Sequence, residues 1–227
     1  MSEKKPNLDL DHWISVQCKM NRLFVHDLKN PISALAANLN YLETVPLEDS
    51  EDLREALRDS VLAADMLLKL VENFDTIALL ESGEHFPIHE INVADFIRSA
   101  AGRNRASADS AGIRISLREP LPSISQSWQT RYAELLIDNL IMSAVRHSPH
   151  GGSVFVELYE QNGNVCIAVS DQGQPVAKDF REDLFSRESQ VEAKKKPSCR
   201  YGRGLGLYAA GLAATTLGGY IQIGEKD

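Results

Sequence analysis

No run in this 227-residue chain approaches the ~20 consecutive apolar residues that a helix needs to cross a bilayer. The opening MSEKKPNLDLDHW has no apolar stretch behind its lysines and does not read as a secretory signal. Cysteine is scarce: Cys18, Cys166 and Cys199 stand far apart, without CxxC spacing, which excludes a disulfide framework or a zinc site of the usual spacing. Basic excess is also missing. The formal charge of −8 argues against duplex nucleic acid or anionic lipid as the main partner. No GxxxxGK[ST] occurs, so any phosphate site is not a P-loop, and no internal repeat is visible. What remains is an ordinary globular composition, 43% apolar and 25% charged, expected to be cytoplasmic.

The first third is periodic. Ile14, Cys18, Asn21, Val25, Leu28, Ile32, Leu35, Leu39 and Leu42 recur in alternating steps of four and three. After VPLEDSED the same alternation resumes at Leu53, Leu57, Ser60, Ala64, Leu67, Val71, Phe74 and Ala78. This predicts two helices, each with a heptad seam, antiparallel because the loop between them is short. Asp49, Ser50 and Asp52 offer capping chemistry for the second. Ala56, Ala63, Leu70 and Ile77 add a further stripe, so the apolar face exceeds what two helices can bury. The simplest solution is a homodimer forming a four-helix bundle. The plainer one packs the hairpin on the rest of its own chain.

Gly83 should end the second helix, after which the pattern turns mixed. Strands are expected near Phe86–Asn92, Ile113–Leu117, Ser153–Tyr159, Asn164–Ser170 and Tyr220–Ile223, with helices from Val93, over Thr130–His147 and after Gly204. Asn162-Gly163 is a hairpin signal. Helices on one side of a mainly antiparallel sheet make an α+β sandwich.

Three segments carry possible chemistry. In FVHDLKNP, His26 falls beside the seam and faces outward, with Asn30 one turn on along the same face. Pro31 withdraws a backbone donor in mid-helix, and a bend is expected just beyond the histidine. A neutral imidazole is a competent nucleophile, and the neighbouring Asp27 carboxylate can fix its tautomer and take up a proton. Taken alone, His26 could equally be an exposed helix histidine among solubilising charges. Asn139, Ser143 and Arg146 share a helix face that could otherwise be a solvated stripe, and Asp171-Gln172-Gly173 could be plain turn chemistry. The triplet Gly202-Arg203-Gly204-Leu205-Gly206 lets backbone N–H groups approach an anion at a helix N-terminus.

In this order the segments resemble a sensor histidine kinase core, from about residue 10 to 223. The resemblance implies a dimerisation and histidine-phosphotransfer domain over 1–84 and a Bergerat-type (GHKL) ATP-binding α/β sandwich over 85–227. It implies that His26 takes the γ-phosphoryl group of ATP, with Asp27 as general base, and hands it to an aspartate of a response-regulator receiver domain. Asn30 matches the position that orients water for dephosphorylating the regulator. Asn139 matches the asparagine that holds Mg²⁺. Arg146 stands for a lysine near the phosphates, His147 for an aromatic against the base, and Asp171 with Gly173 for the acid that reads the adenine amino group. Gly202, Arg203, Gly204, Leu205 and Gly206 match the phosphate loop, and Asp179–Arg203 a lid with Leu184-Phe185 as its anchor.

Two departures bear on activity. Ser143 replaces a second asparagine, and Pro175 replaces the second glycine of an Asp-x-Gly-x-Gly pattern. Besides an ATP-dependent kinase, a non-catalytic histidine phosphotransferase and a regulatory pseudokinase therefore stay open, with signal input from a partner or an upstream sensor.

Overall fold

The computed structural model describes residues 7–44, 51–176, 181, 184–186 and 205–224, the side chains of 7–16, 19 and 23 excepted. The chain divides into two compact units, one built on Met1–Phe74, the other on Asp75–Gly202 with Gly206–Asp227.

Two helices make the first unit: α1 (Asn7–Thr44) and α2 (Glu51–Glu81), the latter continuing into the second unit. Glu51 and Asp52 place carboxylates in the first turn of α2, where the helix dipole favours them; Asp49 and Ser50 lie outside the described residues. α1 continues through Pro31, which is buried. The hairpin interior keeps part of the expected seam, Leu28, Leu35, Leu42 and Ser60, and adds residues beside it. On α1, Met20 and Pro31 are buried and Phe24, Leu28, Leu35 and Leu42 half-buried; on α2, Ala56, Ser60 and Ala63 are buried. Phe24 stacks on Phe74 with ring centroids 4.1 Å apart. Val25, Ile32, Leu39, Leu57 and Val71, expected in the seam, are each about half exposed, and Val61 and Leu68 join them outside. Steps of three and four fit two neighbouring stripes equally well, and the hairpin buries parts of both, with the small Ala56, Ser60 and Ala63 of α2 inside.

Gly83 ends α2 as expected. Its φ of +75° lets Gly83 N–H donate to Leu80 O (3.2 Å) and Glu84 N–H to Leu79 O (3.0 Å), a Schellman closure.

The second unit follows as β1 (Ile88–Asn92), α3 (Val93–Ser110), β2 (Arg114–Leu117), β3 (Ser125–Gln129), α4 (Thr130–His147), β4 (Ser153–Gln161), β5 (Asn164–Ser170) and α5 (Gly206–Thr216). Pairing is more mixed than expected: β2 runs parallel to β4, β4 antiparallel to β5, and β1 pairs antiparallel with β3 in a separate two-stranded sheet. The β4–β5 turn uses Asn162 and Gly163 at φ +53° and +78°, the type I′ geometry that Asn-Gly favours. Asn92 caps α3, its Oδ1 accepting from Asp95 N–H at 3.2 Å.

One core joins these layers. Val93, Ile97 and Ala100 of α3, Ala133, Ile137 and Ile141 of α4, and Val154, Val156 and Leu158 of β4 are buried together. Each large aliphatic side chain there contributes about 1.5–3 kcal/mol of burial, which fixes the backbone carrying the candidate site. Residues 220–223, expected to form a strand, have no regular structure. Ser125–Gln129 does form one, although its polar SQSWQ sequence gave no alternation of apolar residues to reveal it.

Candidate functional site

The first cluster lies on α1. His26 is exposed, its side chain 71% accessible, whereas that of Asp27 is 15% accessible. Asp27 Oδ1 lies 3.5 Å from His26 Nδ1. A carboxylate on that side favours a proton on Nδ1 and leaves the Nε2 lone pair outward, the tautomer a nucleophile needs. Asn30, one turn on, is likewise exposed. Asn21, Arg22, Val25, His26 and Lys29 line one shallow depression, which the imidazole shares with two cationic residues.

The second cluster forms where α4 ends and β5 ends. His147 is the last residue of α4 and Asp171 follows β5. His147 Nδ1 and Asp171 Oδ1 are 2.8 Å apart, and Gly173 N–H donates to the same oxygen at 2.7 Å. Their side chains are 11% and 23% accessible. Gly173 is required here: a Cβ would overlap the His147 ring and the His147 carbonyl. Gln172, which no sequence signal singled out, ties the loop to β4 by accepting from Ser153 N–H at 2.9 Å. Beyond Pro175, Arg181 Nε donates to Val176 O at 3.0 Å.

The remaining candidates fall on α4 and α5. Asn139 is nearly buried at 5%, Ser143 half-buried and Arg146 exposed, on one face by their spacing. The preceding Asp138 is held from α3 by the Arg103 guanidinium (3.3 Å to each oxygen) and by Asn104 Nδ2 (2.8 Å). Leu205 has the left-handed φ of +55°, uncommon for a branched side chain, and directly precedes α5, whose first residue is Gly206. Gly202, Arg203 and Gly204 lie outside the described residues, as does most of the expected lid. Of its anchor, Leu184 is buried and Phe185 packs on α5, 3.0 Å from where a Cβ on Gly211 would sit. The structure thus joins His147, Asp171 and Gly173 by direct bonds, and places Asn139, Ser143 and Arg146 along the same helix as His147.

Among the described residues no group of three or more His, Cys, Asp or Glu could hold a metal, and no helix is long and apolar enough to cross a membrane. Any divalent ion here would arrive with phosphate ligands and keep several waters, as Mg²⁺ does, with neutral side-chain oxygens such as that of Asn139 supplementing them. The donor set fits that mode.

Residues 129–227 match the family described as histidine kinase-, DNA gyrase B- and HSP90-like ATPase. The curated relatives include the sensor-like histidine kinase SenX3 of Mycolicibacterium smegmatis, 27% identical over 87% of this chain and 51% of its own length. Another is the sensor protein KdpD of Clostridium acetobutylicum, 26% identical over 90% of this chain and 23% of its own. The chain spans about half the length of the first curated relatives it matches. Among solved structures, the Acinetobacter baumannii histidine kinase AdeS aligns with a TM-score of 0.57 at 23% identity, covering 87% of this chain and 89% of that one. Full-length ShkA in complex with AMPPNP aligns at 0.56 and 22%, covering 92% of this chain and 42% of that one. Residues 129–227 are therefore similar to GHKL-type ATPase domains. With its helical hairpin, the chain is similar to histidine kinases over most of its length.

Proposed function

We propose that this chain binds ATP with Mg²⁺ in its second unit, phosphorylates His26, and passes the phosphoryl group to an aspartate of a response-regulator receiver domain. The observation that carries this reading is the exposed imidazole of His26 with Asp27 at Nδ1, on the same chain as a GHKL-type ATP-binding domain. The relative named as a sensor-like histidine kinase supports it.

Asp27 holds the proton on Nδ1, so that Nε2 attacks the γ-phosphorus as its bond to the β–γ bridging oxygen breaks and ADP leaves. The carboxylate stabilises the imidazolium that forms and takes its Nδ1 proton. Asp171 accepts a hydrogen bond from the adenine amino group through Oδ2, which takes no bond among the described residues, while Oδ1 is held by His147 and Gly173. Asn139, Ser143 and Arg146 face the phosphates, and the N–H groups at the start of α5 with the glycine loop around Leu205 receive their anionic oxygens. Mg²⁺, when bound through Asn139, supplies neutralisation of charge on the phosphates. Asn30 orients water for the reverse, dephosphorylating role. The exposed stripe of Val25, Ile32 and Leu39 with Leu57, Val61, Leu68 and Val71 is where a second copy packs to make a four-helix dimer. We place the division of labour at 1–84 for dimerisation and phosphotransfer and 85–227 for ATP, with input from an upstream sensor and the reaction in the cytoplasm.

Ser143 and Pro175 favour a second reading, a relay or pseudokinase with a weakened nucleotide site. Incubation with γ-labelled ATP and Mg²⁺ separates the two. The kinase reading expects acid-labile label in the wild type and none in His26→Ala or Asp171→Ala. Absence of label, with ATP bound normally, leaves relay or scaffold.

A further inference from the structure

We infer that His147 is a positioning residue for nucleotide selection: it holds the Asp171 carboxylate in the one orientation that reads a 6-amino purine. The inference deepens the ATP-binding reading above and rests on it.

A free carboxylate rotates about χ2 and presents either oxygen in many directions. Here Oδ1 carries two short bonds, to His147 Nδ1 at 2.8 Å and Gly173 N–H at 2.7 Å. The two donors come from different elements, the end of α4 and the loop after β5, so the carboxylate plane is set by both. Oδ2 is left as the acceptor. The imidazole is itself fixed: it is 11% accessible and lies against the backbone of Gly173, where any side chain would displace it. Gln172, bonded to Ser153 N–H, stops the loop from following a moving carboxylate.

A phenyl ring at position 147 could cover the same apolar area but has carbon where Nδ1 donates. It would leave Oδ1 with one donor, and the carboxylate would regain rotation. Asparagine can place an amide N–H close to the position of Nδ1; glutamine places it one bond further out. The effect falls on the 6-amino group alone, because Oδ2 is the atom that reads it. A ring that merely packed would affect all purine nucleotides alike.

The test measures dissociation constants by calorimetric titration for ATP and for purine riboside triphosphate, which lacks the 6-amino group. Wild type, His147→Phe, His147→Asn, His147→Gln and Asp171→Ala are compared, each checked for an unchanged folded signal. In His147→Phe and His147→Gln the preference for ATP over the deaminated analogue falls about tenfold, the weight of one hydrogen bond to a charged group. The ratio of the two affinities is the readout, and His147→Asn restores it. Equal losses for both nucleotides in His147→Phe, or no rescue by asparagine, overturn the positioning role. Should His147→Phe fail to fold, the asparagine and glutamine pair decides by the same ratio. An Asp171→Ala variant that keeps the wild-type preference overturns instead the reading of Asp171 as the adenine acceptor, a result distinct from failure at His147.

Discussion

Replacing Gly173 by alanine probes the proposed nucleotide-site loop with a single methyl group. The added Cβ would overlap the His147 ring and, more seriously, the His147 carbonyl, which belongs to the end of α4 and cannot swing away. Restoring ordinary carbon contacts requires the loop to withdraw by roughly an ångström. A 2.7 Å bond from Gly173 N–H and a 2.8 Å bond from His147, both to Asp171 Oδ1, do not survive such a shift as good hydrogen bonds. Each involves a charged acceptor and is worth about 1.5–3 kcal/mol when well shielded. Asp171 is 23% accessible, so water recovers part of that; a net loss of about 2 kcal/mol is the expected figure. Gly173→Ala should then weaken ATP about 30-fold in a calorimetric titration and lower the melting temperature by a few degrees. An alanine variant that binds ATP and melts like the wild type would refute the close approach of this loop to His147. As a contrast, alanine at Gly163 meets nothing within 4 Å and should only strain the hairpin turn through its positive φ, leaving ATP affinity unchanged.

Other expectations are independent of that loop. Leu68→Glu puts a charge on the exposed apolar stripe and should shift sedimentation from dimer to monomer without unfolding the hairpin; a dimer unaffected by it places the interface elsewhere. Ser143→Asn should raise the rate of autophosphorylation several-fold if the missing amide limits Mg²⁺ binding, and no gain means Ser143 is not limiting. Tyr132→Phe removes the bond from its hydroxyl to Glu84 O (2.7 Å) and should cost about 1 kcal/mol in urea unfolding. Burial, helped by the Glu84 charge and opposed by Arg131, raises the Tyr132 pKa, so its contribution is full below the unfolded tyrosine range. It is lost as pH rises through the folded value. Wild-type stability should therefore show an alkaline decline that Tyr132→Phe lacks, measured as urea midpoints on either side of that range.

Much of the fold could be read from local chemistry. The 18 residues of α4 fall on Thr130–His147 as the apolar spacing predicted, and Asn162-Gly163 and Gly83 mark turns because their backbone conformations are ones few other residues adopt. The hairpin shows where local chemistry stops. A 3–4 repeat tells which residues are apolar but not which of two adjacent stripes faces the partner helix. Val25 and Leu57 lie outside because the smaller Ala56 and Ala63 of the neighbouring stripe allow closer approach. β3 was hidden because its strand is held by pairing with β1, not by its own residues. Spacing alone could place His26, Asp27 and Asn30 on one helix and Asn139, Ser143 and Arg146 on another. It could not show that His147 reaches Asp171 across 24 residues of chain, since that bond depends on how α4 and β5 end beside each other.

The outward nitrogen of His26 is the proposed nucleophile, because Asp27 occupies the side of Nδ1. The most direct measurement is NMR of the chain labelled with ¹⁵N-histidine after incubation with ATP and Mg²⁺, correlating ³¹P with the ring nitrogens. One phosphoramidate is expected, on Nε2 of His26, absent from His26→Ala. Phosphate on Nδ1, or on any residue other than His26, would contradict it.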